Sequence, residues 1–265
     1  MPRKSKSLLP GLRSVLQSAR WVRKTFARAP RMVRIVGVVA ILLAVVALAN
    51  LTYNVIRKPT ELFVLVGNAL DKDPAATWRQ YGPPFRAYST ATITPELLAA
   101  LAQVESSGNP VARTYWRWRL SLNPLAIYRP ASSAVGLYQM LDAAYADAAR
   151  FCVRGNAVTE TACGSTFLYS RAIPSHAIEL ASVYLDRNVG DVLTRAGEVK
   201  ASAQQKQDLA AFIHLCGAGP ATAYARRHFQ MLAGERCGDH LVAGYIAKVN
   251  AMKRQFLRLA ADDGG

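Results

Sequence analysis

One glutamate in this sequence stands where a carboxylic acid would be useful for catalysis. A helix is predicted over residues 94–106, with Pro95 at its first position. Leu98, Leu101 and Glu105 follow one another at i, i+3 and i+7, so the carboxylate continues an apolar stripe. Burial and the negative end of the helix dipole both oppose ionisation, which predicts a raised pKa. A protonated carboxylic acid is what a glycosidic oxygen needs in order to leave. An ordinary helix-end glutamate that reaches solvent is the alternative.

Two sequence motifs begin at and follow this glutamate. Residues 105–112 read E-S-S-G-N-P-V-A, and residues 133–140 read S-A-V-G-L-Y-Q-M. They resemble the E-S-x-x-N-P-x-A and S-x-x-G-L-x-Q-M signatures of the lytic transglycosylases of the soluble, lysozyme-like (SLT) family. The resemblance covers residues 94 to 259. It implies a mainly α, lysozyme-like helical domain that acts on peptidoglycan.

The resemblance also implies a role for each matching residue. Glu105 corresponds to the single catalytic acid of the family, and Ser106 to a polar neighbour that helps to position the site. Gly136, Leu137 and Gln139 belong to the motif that shapes the cleft floor and contacts sugar. Chemically, a glycine permits close approach of the backbone to substrate, and an amide offers both a donor and an acceptor to an N-acetyl group. In isolation these would be a helix-entry glycine and an exposed amide.

The third family motif, A-Y-N-A-G-P, is altered here. Residues 215–220 read L-C-G-A-G-P, with Cys216 in place of the tyrosine and Gly217 in place of the asparagine. Further on, residues 244–249 read G-Y-I-A-K-V and resemble the late Y-V-x-x-V segment of the family. There a tyrosine hydrogen-bonds the catalytic glutamate, so the resemblance gives that role to Tyr245. A core aromatic residue is the alternative.

Residues 111–131 lengthen the connection between the first two motifs beyond what the family usually needs. This segment alternates aromatic side chains with arginines, and Tyr115, Trp116 and Trp118 are candidate contacts to sugars or peptide stems. A purely structural flap is the open alternative. Aromatic and arginine density also suits nucleic acid. We expect no nucleic-acid partner, because the segment lies inside the enzyme signature and beyond a predicted membrane span.

The strong positive charge of the chain belongs to its N-terminus. There are 33 basic and 17 acidic residues, and ten of the basic ones precede residue 35, whereas the first acidic residue is Glu61. The apolar run that follows, extended over 35–56, has about the ~20 residues that a bilayer span needs. The positive-inside rule then predicts a cytoplasmic segment 1–34, a single-pass bacterial inner-membrane anchor at 35–56 and a periplasmic catalytic domain. A cleaved signal peptide is the alternative, since Ala47-Leu48-Ala49 resembles a cleavage site.

Beyond the span, proline and glycine breaks predict a stalk or N-terminal extension over 57–93. Residues 94–260 are predicted to form one lysozyme-like transglycosylase domain of about six helices without a convincing strand. The helices are expected over 94–106, 137–151, 176–192, 203–215, 221–232 and 240–260.

All four cysteines follow the span, in agreement with an oxidising compartment. Three pairings are possible in principle. We expect the two local ones, Cys152–Cys163 and Cys216–Cys237, because each closes a short loop beside a predicted helix. Four reduced and buried thiols are the alternative.

No second carboxylate follows Glu105 at a motif position, although most glycosidases use two. A single acid suits the route that the resemblance implies: cleavage of the MurNAc-GlcNAc β-1,4 bond with formation of 1,6-anhydroMurNAc. A lysozyme-type hydrolase and an inactive membrane-anchored scaffold that binds peptidoglycan remain alternatives. The expected partners are peptidoglycan glycan strands, the inner membrane and, less directly, a cell-envelope or secretion assembly. No metal or cofactor is expected, and the four histidines are predicted to be structural.

Overall fold

A computed structural model describes residues 26–65, 67–161, 163–164 and 170–263. The helices are α1 (Arg31–Arg57), α2 (Pro74–Ala87), α3 (Pro95–Ser106), α4 (Asp142–Ala148), α5 (Pro174–Arg195), α6 (Ala203–Cys216), α7 (Ala218–Arg226) and α8 (Val242–Asp262). The strands pair two by two: β1 (Trp116–Trp118) with β2 (Tyr128–Pro130), β3 (Cys152–Arg154) with β4 (Ala157–Thr159), and β5 (Arg236–Cys237) with β6 (His240–Leu241). The chain divides into two compact units, Met1–Asn54 with Trp118–Arg129, and Val55–Arg117 with Pro130–Gly265. Most of the predicted cytoplasmic segment 1–34 lies outside the described residues.

The smaller unit contains most of α1. Among the described residues, α1 is the one helix that is long and apolar enough to cross a membrane, with a mean hydropathy of 2.8 over its most apolar stretch. The side chains of that stretch are not covered by protein. Such a helix fits a membrane anchor or a signal sequence equally well by length and composition.

The larger unit is built around α3, which packs most extensively against α8 and α2. Thr94 caps the helix by accepting a hydrogen bond from the backbone N of Leu97 at 3.4 Å, and Pro95 occupies its first turn. Its central residues are completely buried, and it ends where Ser107 adopts a left-handed conformation (φ 53°). The helix predicted for this segment is confirmed, and its last turn carries Glu105.

The segment 57–93, expected to be a stalk or N-terminal extension, contributes to the core of the larger unit. Asp73 caps α2 by accepting from Ala76 N at 2.7 Å, and the helix then continues through Pro83 and Pro84. Its aromatic residues Trp78, Tyr81 and Phe85 are almost fully buried and belong to the hydrophobic core. Their i, i+3, i+7 spacing marks one face of a helix. The stalk was predicted from the prolines, which usually break helices, whereas the spacing of these aromatic residues already indicated a buried helix.

A buried ion pair precedes α2. The Glu61 carboxylate lies 3.1 Å from Lys58 Nζ and 3.5 Å from an Arg113 guanidinium nitrogen, and it accepts a 2.6 Å hydrogen bond from Trp116 Nε1. Burial lowers the pKa of Lys58, and the interaction with Glu61 opposes that effect. These contacts fix the chain before α2 to the first part of the 111–131 insertion.

The remaining helices agree with the predicted order, but α4 is shorter than predicted and three strand pairs were missed. Strands of two or three residues are too short to show a period. The β3–β4 turn does carry a local signal, since Gly155 and Asn156 both have positive φ angles, which the Gly-Asn pair tolerates. The predicted disulfides Cys152–Cys163 and Cys216–Cys237 are both present. The first joins β3 to the loop after β4.

Candidate active site

Glu105 lies between two cavities of the larger unit. One cavity, of about 370 Å³, is lined on its other sides by residues that include Gln139, Tyr184 and His214. The other, of about 610 Å³, is lined by residues that include His240 and Tyr245. The Glu105 side chain is 19% exposed, so it is largely desolvated yet open to a ligand. A chain-like substrate that occupies both cavities would place the bond between them against this carboxyl group.

Two side chains from distant elements contact the Glu105 carboxylate. The Tyr245 hydroxyl, from the first turn of α8, donates a 2.5 Å hydrogen bond to Oε1. His214, in the last turn of α6, places Nε2 3.4 Å from the same oxygen. The contact that the resemblance implied for Tyr245 is therefore present. His214 is not structural as predicted, because it reaches the acid itself.

The environment of Glu105 lowers the pKa of its carboxyl group. Burial is the largest single influence and raises this pKa, but the charge and hydrogen bond of His214, the hydrogen bond from Tyr245 and the charge of His240 together outweigh it. The raised pKa predicted from sequence is therefore wrong in direction. The helical pattern indicated burial and the dipole, whereas the two histidines come from segments more than a hundred residues away.

The Tyr245 hydroxyl is protonated near neutral pH and donates its hydrogen bond to Glu105. Burial, the negative charge of Glu105 and their hydrogen bond raise the pKa of the Tyr245 hydroxyl well above 10.0. The hydroxyl thus keeps its proton and orients one carboxylate oxygen. This leaves the carboxyl group with a fixed direction at the junction of the two cavities.

The second motif is held against α3 by a side chain of the first motif. The buried Ser106 hydroxyl lies 2.9 Å from Ala102 O and 2.8 Å from Leu137 O. Leu137 is itself fully buried. Ser106 and Leu137 are absent from the described linings of the two cavities at Glu105. Their hydrogen bond instead holds the second motif, which carries Gln139, in position against α3.

Gly136 lies close to the backbone of two other segments. It has a φ of +71°, and a Cβ at this position would lie 2.3 Å from Arg171 O and 3.0 Å from Pro110 O. Its N–H also donates to Ala112 O at 3.2 Å. This glycine therefore permits a close approach to the backbone of the protein itself, and its predicted approach to substrate stays a prediction.

Gln139 lines the first cavity together with Glu105. Its Nε2 donates to Ala112 O at 3.0 Å and to Gly136 O at 2.9 Å. Both amide hydrogens are used within the protein, so the group that remains for a ligand is the carbonyl oxygen. An N-acetyl N–H is a suitable donor to that oxygen.

The three aromatic residues proposed as sugar contacts are absent from the described linings of both cavities at Glu105. Trp116 is committed to Glu61, as described above. Tyr115 is 72% exposed, and Trp118, 76% exposed, stacks on Tyr128 with a centroid distance of 4.6 Å. The structure does not bring these rings to the acid.

The altered third motif forms the wall of the first cavity. His214, Cys216 and Gly217 all line it, and the disulfide from Cys216 to Cys237 ties the end of α6 to β5. Gly217, with a φ of +77°, allows the chain to turn from α6 into α7. The substitutions in this motif are visible in the sequence. The position of His214, which precedes them and lies beside Glu105, is visible only in the structure.

Residues 83–203 match the family model described as the transglycosylase SLT domain. This chain carries a transglycosylase SLT domain. The match includes Glu105 and both of the first two motifs, whereas His214 and Tyr245 lie beyond its end at residue 203. No curated protein sequence matches the chain.

The SLT domain has a lysozyme-like, mainly helical fold, as the sequence predicted, and family membership implies activity of the lytic-transglycosylase type on peptidoglycan. Glu105 lies within the matched residues, but some of the residues around its carboxylate lie beyond residue 203. The two contacts to the carboxylate, from α6 and α8, both come from the part beyond the match.

Replacing His214 should change the pH dependence of activity. In His214→Gln the positive charge is lost while burial remains, so the pKa of Glu105 should rise. A general acid is active when protonated and loses activity as pH rises through its pKa. The alkaline limb of the pH profile of kcat/KM should therefore move to higher pH.

His176→Gln is the matched control, because His176 accepts a bond from Ser170 N and is absent from the described linings of both cavities. It should leave the profile in place. An unchanged profile in a folded His214→Gln protein would contradict the electrostatic role of His214.

Proposed function

We propose that this SLT domain is a lytic transglycosylase that cleaves the MurNAc-GlcNAc β-1,4 bond of peptidoglycan with Glu105 as its single catalytic acid and base. The observation that carries the proposal is the position of Glu105 between two cavities, held by Tyr245 and beside His214. Among the described residues that line the two cavities, Glu105 is the one carboxylate common to both, and the other carboxylate, Asp239, lines the second cavity alone. This supports a route that needs one acid over the two-carboxylate routes of most glycosidases.

The proposed reaction uses Glu105 twice. In its carboxyl form it donates a proton to the bridging oxygen, and the bond from that oxygen to C1 of the muramic acid breaks. The resulting carboxylate accepts the proton of the muramic acid 6-hydroxyl, whose oxygen attacks C1 and closes the 1,6-anhydro ring. Glu105 is protonated again at the end, and no water is consumed. Tyr245 and His214 stabilise the carboxylate formed between the two steps.

The second cavity suits the charged parts of peptidoglycan. Besides Glu105, its lining includes Arg236, His240 and Lys248 and one further carboxylate, Asp239. The guanidinium of Arg236 donates to the backbone oxygen of Asp239 at 2.6 Å, which fixes the turn between β5 and β6. The cationic groups can bind the carboxylates of the lactyl group or of the stem peptide. Gln139 in the first cavity is then the proposed N-acetyl contact.

For the location, we propose that α1 is retained as a single-pass inner-membrane anchor and that the SLT domain lies in the periplasm. Three observations support this: the uncovered apolar side chains of α1, the basic residues before it and the two disulfides beyond it. In addition, Asn50 and Asn54 of this helix donate hydrogen bonds to the backbone of residues 124 and 125. A signal sequence that is cleaved off would make no lasting contact with the folded chain. The proposed partners are the glycan strands and the membrane lipid.

Mass spectrometry of the muropeptides released from purified sacculi tests the reaction. A lytic transglycosylase should release fragments with a 1,6-anhydro end, each one water lighter than its hydrolysed counterpart. Reducing-end products would show a lysozyme-type hydrolase instead. Binding of sacculi without any release would show a scaffold. Either of these two results would overturn the proposed reaction.

A further inference from the structure

The last turns of α1 have a polar face that the rest of the helix lacks. The apolar side chains from Ile35 to Leu48 are mostly exposed, as expected of a surface that faces lipid. Asn50 and Asn54 are 5% and 9% exposed, although they lie on the same apolar helix. They are four residues apart and therefore share one side of it.

A segment from the middle of the chain covers this polar face. We name residues 118–129 the Trp118 hairpin. Asn50 Nδ2 donates to Pro124 O at 2.9 Å, and Asn54 Nδ2 donates to Leu125 O at 3.2 Å. Both acceptors are backbone carbonyls of the hairpin. The helix and the hairpin belong to the same compact unit.

The length of the helix places these contacts near the outer edge of a bilayer. A hydrocarbon core of ~30 Å takes about 20 helical residues. Measured from Ile35, directly after Arg34, such a span ends near Asn54. Polar groups at this depth are costly unless they are hydrogen-bonded. Asn54 Nδ2 also donates to Asn50 O within α1, at 2.9 Å. Because hairpin carbonyls accept a bond from each of the two amides, the hairpin backbone must lie at the same depth as the two asparagines.

The hairpin exposes the side chains that such a position requires. Leu120 and Leu122 are completely exposed, at 103% and 106%, and Trp118 is 76% exposed. Leu120 and Leu122 lie in the irregular segment that directly follows β1. Fully exposed neighbouring leucines mark an interaction surface, and a tryptophan stacked on Tyr128 is typical of the membrane interface.

We propose that the Trp118 hairpin is a second membrane contact, which inserts Leu120 and Leu122 into the outer leaflet beside α1. The partner is a lipid bilayer, and the exposed Arg117 and Arg119 suit the phosphates of its headgroups. This proposal rests on α1 being the retained anchor. It gives Trp118, which is absent from the described linings of both cavities at Glu105, a role outside the cleft.

Spin labels on the full-length chain test this directly. Two variants, Leu120→Cys and Leu122→Cys, each add one free cysteine to a protein whose four native cysteines are in disulfides. They are labelled at that cysteine, reconstituted into bilayers of phosphatidylethanolamine and phosphatidylglycerol, and exposed to oxygen or to a water-soluble nickel chelate. Oxygen concentrates in lipid, so the labels should relax with oxygen and be protected from nickel. Nickel accessibility equal to that of a Thr194→Cys label, on the exposed surface of α5, would overturn the proposal.

A label at Val39→Cys separates failure of the hairpin proposal from failure of the anchor. If Val39 is protected from nickel while Leu120 and Leu122 are not, the anchor stands and the hairpin proposal is wrong. If all three positions are accessible, both are wrong.

A measurement without added cysteines is independent of the disulfides. Lipids brominated near the headgroup should quench tryptophan fluorescence, and Trp118→Phe should remove a large part of that quenching. Trp78→Phe, in the buried core, should not reduce it. Equal quenching in the Trp118→Phe protein and the unmodified protein would also overturn the proposal.

Discussion

Glu105→Gln should abolish turnover of peptidoglycan, with a fall in kcat of about 10³-fold or more, while the protein stays folded. The amide keeps the shape of the side chain and can still accept the Tyr245 hydrogen bond. It has no proton of suitable acidity to give to the leaving oxygen, and it cannot take one from the 6-hydroxyl. Both proposed steps therefore fail together. Release of soluble muropeptides from sacculi measures the effect, and circular dichroism measures the fold.

Glu96→Gln is the matched control for this variant. Glu96 lies in the first turn of the same helix and is absent from the described linings of both cavities at Glu105. It should retain nearly full activity. A folded Glu105→Gln protein with activity close to that of the control would rule out Glu105 as the catalytic acid.

Gly136→Ala should destabilise the domain by about 3 to 5 kcal/mol and greatly reduce its activity. Two costs add at this position. The left-handed backbone disfavours any side chain, and the new Cβ would lie 2.3 Å from Arg171 O, which is backbone and cannot rotate away. Relief of this contact must move the second motif, and Gln139 with it. The midpoint of thermal unfolding and the rate of muropeptide release report the two effects.

Gly155→Ala separates the two costs. Gly155 also has a positive φ, of +54°, but no described atom lies within 4 Å of its Cβ position. Alanine there should cost only about 1 to 2 kcal/mol of backbone strain and leave activity intact. If both variants were destabilised equally, the packing of Gly136 against Arg171 would not be what its position requires.

Local patterns were sufficient to predict much of the fold of this protein. The capped helix that carries Glu105, the apolar span and the helix order after residue 174 each depend on contacts within a few turns. The two disulfides were also predictable, because the paired cysteines are only 11 and 21 residues apart in the sequence. Errors arose where two local patterns competed. In α2 the prolines suggested a break, but the burial of Trp78, Tyr81 and Phe85 outweighed it.

The sequence by itself determined which residue is the candidate acid and which family the chain resembles, because motifs are contiguous and their spacing is fixed by the chain. Only the tertiary structure decided the direction in which the pKa of that acid is shifted and the surroundings of the Trp118 hairpin. His214 and Tyr245 reach Glu105 across 109 and 140 residues of chain, and Asn50 reaches Pro124 across 74. The strength of an electrostatic interaction or hydrogen bond depends on the distance between two groups in space and not on their separation along the chain. The packing of whole helices sets that distance.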